Sequence, residues 1–180
     1  MRRPILALAL TLVASAALPS LVRAEVVDAQ PNGFQVKRTA VIAAPADKVY
    51  AALSQPARWW NKDHTWSGSA ANLSLAPMAG GCFCEKLPNG GSVMHMTVVF
   101  AQPGQALRLS GALGPLQTTG ATGHLAWVLT EKDGKTTVTQ TYDVGGYRTG
   151  GLDKLAAPVD AVMGEQLDRL KAYAETGVTP

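Results

Sequence analysis

Apolar residues recur along this chain in two rhythms, and the change of rhythm divides it. From Phe34 to Tyr147 they mostly alternate with polar ones, the period-two pattern of strands with one buried face. From Leu152 to Thr176 they fall every three to four residues, the pattern of one amphipathic helix. Phe34–Ile42 reads as the first strand. Ala43-Ala44-Pro45 then turns the chain into a helix, Pro45 suiting a first helical position because its missing N–H would be unpaired there anyway. Val49 and Leu53 share a face of that helix, and Pro56 opens a second short turn through Trp60. Asn61–Ser69, with His64 and Trp66, reads as a loop. Leu73 and Leu75 alternate with polar neighbours in a short strand.

Cys82–Leu87 and Ser92–Phe100 flank Pro88-Asn89-Gly90-Gly91, a hairpin signal because Asn-Gly accepts the positive φ of a tight turn. Leu107 and Leu109 mark another strand, and Gly123–Glu131 and Lys135–Val144 form a second hairpin around Asp133-Gly134. Gly145–Gly151 is a glycine-rich loop. The closing helix carries Leu155, Val159, Val162, Met163, Leu167, Leu170 and Tyr173 on one stripe. Pro158 inside that stripe predicts a kink or the true start of the helix, and Gly177 its end. The order predicts an α+β fold: a curved antiparallel sheet wrapped around a long C-terminal helix, with an internal cavity for a small molecule.

The N-terminus changes the charge argument. Met1-Arg2-Arg3, the apolar Ile5–Leu18 and the small-x-small Val22-Arg23-Ala24 read as a signal peptide over residues 1–24. The apolar stretch is shorter than the ~20 residues that span a bilayer, so no transmembrane anchor is expected after processing. The expectation is a periplasmic or secreted protein. The whole chain has 16 basic and 13 acidic residues, and the first 24 hold three arginines and no acid, so the mature protein is neutral with 13 of each. Without a basic run, nucleic-acid binding is excluded as the leading class. Residues 25–32 form a polar leader, and residues 33–177 fit a single domain.

Val41-Ile42-Ala43-Ala44-Pro45-Ala46-Asp47-Lys48-Val49-Tyr50-Ala51-Ala52-Leu53, followed by Arg58-Trp59-Trp60, resembles the opening of the START-like, polyketide cyclase (SRPBCC) superfamily. Gly80-Gly81-x-Phe83 and the closing helix resemble its heat-shock ATPase activator homologue branch. The resemblance implies a helix-grip fold with a cavity for lipids, sterols, polyketides or other apolar molecules. It implies no universal catalytic residue. An exported chain would not meet a cytosolic ATPase, and His64, His95 and His124 lack the clustered spacing of an iron site.

Cys82 and Cys84 carry the sharpest local chemistry. Two apart on a strand, they project from one face. Their extended Cα separation of about 6.6 Å is close to the disulfide limit of about 6.8 Å, so a direct bridge needs a kink. With Asn89-Gly90 as a two-residue turn, Cys84 falls opposite His95 and Cys82 opposite Thr97. That set suits copper(I) or zinc, or a redox pair. A one-residue change in the loop puts Met94 or Met96 beside Cys84 instead.

Trp60, Trp127, Gln140 and Tyr142 are the expected cavity lining, with Gln140 opposite Trp127 and able to orient a ligand. His124 and Asp143 face each other on the outer side as an expected ion pair. Glu85, on the face opposite Cys84, is the acid to watch, since burial in the pocket would raise its pKa and make it a general acid. Three readings follow: an exported binder of a small hydrophobic or amphipathic ligand, a thiol-based metal or redox site at Cys82, Cys84 and His95, and a cyclase- or hydrolase-type enzyme. No nucleophile elbow, paired carboxylates or zinc-protease helix supports the last.

Overall fold

In the computed structural model, which describes residues 25–180, the alternation of Phe34–Ile42 becomes strand β2 (Gly33–Ile42), with Phe34, Val36, Ala40 and Ile42 buried on one face. The expected signal segment lies outside the described residues. The expected leader is not a free polar segment. Glu25–Gln30 forms β1 and pairs antiparallel with β2, because a hairpin there satisfies backbone groups on an otherwise open sheet edge. Then come α1 (Ala46–Leu53), α2 (Pro56–Trp59), β3 (Leu73–Leu75), β4 (Cys82–Lys86), β5 (Ser92–Gln102), β6 (Ala106–Gly111), β7 (Gly120–Lys132), β8 (Lys135–Tyr147) and α3 (Asp153–Thr176). The strands form one antiparallel eight-stranded sheet in the order β1-β2-β8-β7-β6-β5-β4-β3. This is the expected helix-grip α+β architecture.

The two hairpins differ. Asp133 and Gly134 both take positive φ (53° and 69°), the geometry of a primed two-residue turn. At the other, Leu87 N–H donates to Gly91 O at 2.8 Å, leaving Pro88, Asn89 and Gly90 as a three-residue loop. That extra residue moves the register, so Cys84 pairs with Met94 and not with His95. A bulge between Phe83 and Cys84 restores the expected pairing beyond it, Cys82 with Thr97. His95 is the residue in excess. It turns inward and is buried together with Met96, which strict alternation forbids.

α3 lies across the concave face and buries Ala156, Met163, Leu167, Leu170 and Ala174. Gly177 ends it in the left-handed conformation (φ 74°), with its N–H on Tyr173 O. Pro158 sits inside the helix and is not its start; it supplies no N–H to the carbonyl of Lys154, one turn back. A bidentate ion pair holds α3 to β2: Arg38 Nε and Nη2 donate to the two oxygens of Asp160, both at 2.8 Å. A Cβ on residue 164 would lie 2.1 Å from that guanidinium, so glycine there lets the arginine in.

Candidate functional site: a cavity with a buried histidine–glutamate pair

Between the N-terminal half of α3 and the β3–β5 end of the sheet lies a cavity of about 280 Å³. Leu155, Val159, Val162 and Met163 of α3 form one wall, and Leu73, Phe83 and His95 the other. The loop from Trp60 to Trp66 and the turn Leu113–Leu116 close its sides. The walls are apolar because the helix stripe and the inward strand positions that pack the core continue past it. Its volume is at the small end of ligand pockets, roughly 300–1,000 Å³.

The loop over the cavity is fastened to α3. Arg169 Nε donates to Trp59 O at 2.7 Å, and Asn61 N–H donates to Gln166 Oε1 at 2.9 Å. Trp60 is buried, donates from Nε1 to His64 O at 3.1 Å and meets the Phe83 ring edge-on at 5.4 Å. Trp66 is half exposed at the mouth, where its Nε1 donates to Gln117 Oε1 at 3.2 Å.

The polar centre of the site is Glu85 with His95, both buried. His95 Nε2 is 2.9 Å from Glu85 Oε2, and the carboxylate also accepts backbone N–H bonds from Trp66 at 3.1 Å and Ser67 at 2.5 Å. Burial alone would raise the Glu85 pKa, but the hydrogen bonds from Ser67, Trp66 and His95 outweigh it and hold the group below its ordinary value. Glu85 is therefore an ionised acceptor turned toward the 66–67 loop. The expected general acid with a raised pKa is corrected on that ground. Burial lowers the His95 pKa, with the Glu85 hydrogen bond and charge opposing, so the ring is neutral at pH 7.

The other expected site residues are redistributed. Trp60 does line the cavity. Trp127, Gln140 and Tyr142 do not; they are packed in the core behind it. With its amide assigned from its neighbours, the oxygen toward the indole N–H, Gln140 bridges sheet and helix, accepting from Trp127 Nε1 at 2.9 Å and donating to Met163 O at 3.1 Å. Its amide is satisfied by the protein, which leaves nothing to orient a ligand. Tyr142 accepts from the Leu113 N–H at 3.2 Å and so props the cavity's turn from behind; burial pushes its phenol up to about 12.

Cys82 and Cys84 are joined in a disulfide with Cα atoms 5.4 Å apart, shorter than two extended strand residues, on the outward face. His95 faces the other way, so the expected copper(I) or zinc set of two thiolates and one imidazole does not converge. Among the described residues no group of three or more His, Cys, Asp or Glu side chains is placed to hold a metal ion. On the outer face of β8, the Asp143 carboxylate accepts from Gln35 Nε2 and makes no ion pair with His124 among the described residues.

Sequence reasoning missed the partnership of His95 with Glu85, and also that of His64 Nε2 with Glu165 Oε2 at 3.0 Å beside the mouth. The signal for the first lay in Pro88: a proline before Asn-Gly lengthens the loop and re-registers the hairpin. The second joins positions 101 residues apart and had none.

Solved structures share this architecture. Protein EF2215 of Enterococcus faecalis, a conserved protein of unknown function, is 13% identical, with 86% of this chain and 78% of that one covered at a TM-score of 0.60. CalU16 of Micromonospora echinospora is 13% identical, with 88% of each chain covered and a TM-score of 0.58. DynU16, a putative protein in the dynemicin biosynthetic locus, is 22% identical, and this chain covers 48% of it with 81% of its own length at a TM-score of 0.56. No curated protein matches. The finer likeness to the heat-shock ATPase activator branch is not carried by these matches. A family model matches residues 33–175, from the first long strand to the last turn of α3, and the chain belongs to that family, polyketide cyclase / dehydrase and lipid transport.

Proposed function

We propose that this is an exported protein that binds a small, mainly apolar molecule in the cavity under α3. The observation that carries the reading is the cavity itself, apolar on its helix and strand walls and polar at His95 and along the loop of Asp63, His64 and Thr65. The family description, which includes lipid transport, supports an apolar ligand. Export rests on the signal-like residues 1–24. The Cys82–Cys84 disulfide fits an oxidising compartment, and no helix among the described residues is long and apolar enough to cross a membrane.

Native mass spectrometry of the protein from a periplasmic extract tests this. A non-covalent adduct that leaves in organic solvent is the expected result. Bare polypeptide, together with no thermal shift from a panel of aromatic alcohols, ketones and short acyl chains, counts against it. A full-length fusion that stays in the cytoplasm would remove the export claim.

One observation favours a second reading. A neutral imidazole oriented by a carboxylate at an apolar cavity is the arrangement of a general base. On this reading the protein moves a proton on its ligand, and His95→Phe lowers turnover of an enolisable substrate by roughly 10²–10⁴-fold while binding persists. Equal turnover by that variant would remove it.

A further inference from the structure

We propose that the cavity selects neutral molecules bearing a hydroxyl proton, such as phenols, enols or alcohols, because His95 presents a hydrogen-bond acceptor to it. This rests on the cavity-binding reading and names the ligand class for the same site.

The acceptor follows from the partners of Glu85. Two backbone N–H groups, of Trp66 and Ser67, already point at its carboxylate, which has only lone pairs to offer. The imidazole nitrogen that meets it, Nε2 at 2.9 Å, must then carry the ring's proton. A neutral imidazole has one N–H, so Nδ1 holds the lone pair. No described residue bonds to Nδ1. It is also absent from the fully buried polar atoms without a partner, among the described residues Tyr50 Oη and Gln166 Nε2, so it keeps some accessible surface. His95 is part of the cavity wall and its side chain is only 6% exposed, so we assign that surface to the cavity.

The surrounding charges point the same way. The titratable groups that line the cavity with His95 are Asp63 and His64, with Glu85 beneath it on β4 and Glu165 on α3 beside His64. Among the described lining residues there is no lysine or arginine, and Lys62 is paired with Asp63 at 2.8 Å. A carboxylate ligand would bring no proton for Nδ1 and would stand against Glu85 in an apolar setting. An ether or hydrocarbon of the same shape would fill the space and leave Nδ1 without a donor, the condition that buried polar groups avoid.

The test uses three probes of one shape on the mature protein: 2-naphthol, 2-methoxynaphthalene and 2-naphthoate, by calorimetry at pH 7.5. Naphthol is expected to bind roughly five- to tenfold more tightly than its methyl ether, the effect of one hydrogen bond. Naphthoate is expected to bind most weakly, because it brings no proton for Nδ1 and its charge stands against Glu85. In His95→Leu, naphthol and its ether should bind alike. The wild-type series decides without that variant, should it fail to fold. Equal binding of naphthol and its ether overturns the hydroxyl preference and leaves cavity binding standing. Tightest binding of naphthoate at pH 7.5 overturns the neutral His95. If none of the three binds, this inference falls, and native mass spectrometry judges the cavity reading separately.

Discussion

Two histidines line the cavity, and each meets a glutamate at nearly the same distance in a different medium. His95 and Glu85 are 2.9 Å apart with side chains 6% and 0% exposed; His64 and Glu165 are 3.0 Å apart at 33% and 41%. At the mouth, water competes for both partners, and such a contact contributes roughly 0–1 kcal/mol. In the interior, charge on the imidazole is opposed by burial, and charge on the carboxylate is sustained only by the donors arranged around it. The inner contact is therefore a neutral ring hydrogen-bonded to an anion. Equal geometry does not mean equal chemistry; the number of fixed donors and the access of water decide it.

The comparison breaks first, and hardest, at Glu85. Glu85→Ala leaves the N–H groups of Trp66 and Ser67 and the His95 ring without their acceptor, and should cost about 3 kcal/mol or more in urea unfolding, at about 1–3 kcal/mol for each buried donor left unpaired. Glu165→Ala should cost under about 1 kcal/mol. Similar losses from the two variants would mean that burial does not separate the pairs.

A smaller effect is expected from the disulfide, which spans the bulge that turns His95 inward. Its loop is very short, so Cys82→Ser/Cys84→Ser should lose only about 1–2 kcal/mol. Imidazole NMR signals of His95 should move in that double variant while those of His64 stay. Unmoved His95 signals would show that the bulge holds itself.

The pH dependence sharpens the contrast further. His95 has a folded pKa below its ordinary 6.5, so the unfolded state binds the proton first; stability is full above that value and declines as pH falls below it. Glu85 is also lowered from its ordinary 4.5, so its contribution is present above about 4.5 and is lost as pH falls through the folded value. Stability should thus fall in two stages on acidification. His95→Gln should abolish the upper stage, by chemical denaturation at half-unit pH steps. An upper stage that survives in His95→Gln assigns it elsewhere. The smallest effect, within about 1 kcal/mol, is that of His64→Ala on stability at pH 7.

Much of this was legible locally. Alternation in β2, β7 and β8 named their buried residues, Asp133-Gly134 fixed a turn whose φ angles allow few other residues, and the helical stripe gave α3 almost to the residue. Even the facing of Gln140 and Trp127 followed from that turn. Their role did not follow. Whether an inward amide meets a ligand or another element depends on what lies above it, and Met163 O of α3 lies there.

What the chain determined by itself was therefore periodic and short-range: which residues face inward, where turns fall, that one helix closes the sheet, and that two cysteines share a strand face. Backbone stereochemistry and the exclusion of apolar groups from water act on neighbours, and neighbours are written in sequence. What only the tertiary structure decided was register and partnership. One extra residue in the 88–90 loop and one bulge moved His95 from the cysteine face to the cavity, and the chain's return through Trp66 and Ser67 supplied the donors that keep Glu85 charged. A side chain's chemistry is set by the atoms within a few ångströms of it, and here those atoms come from segments that meet only when the fold is complete.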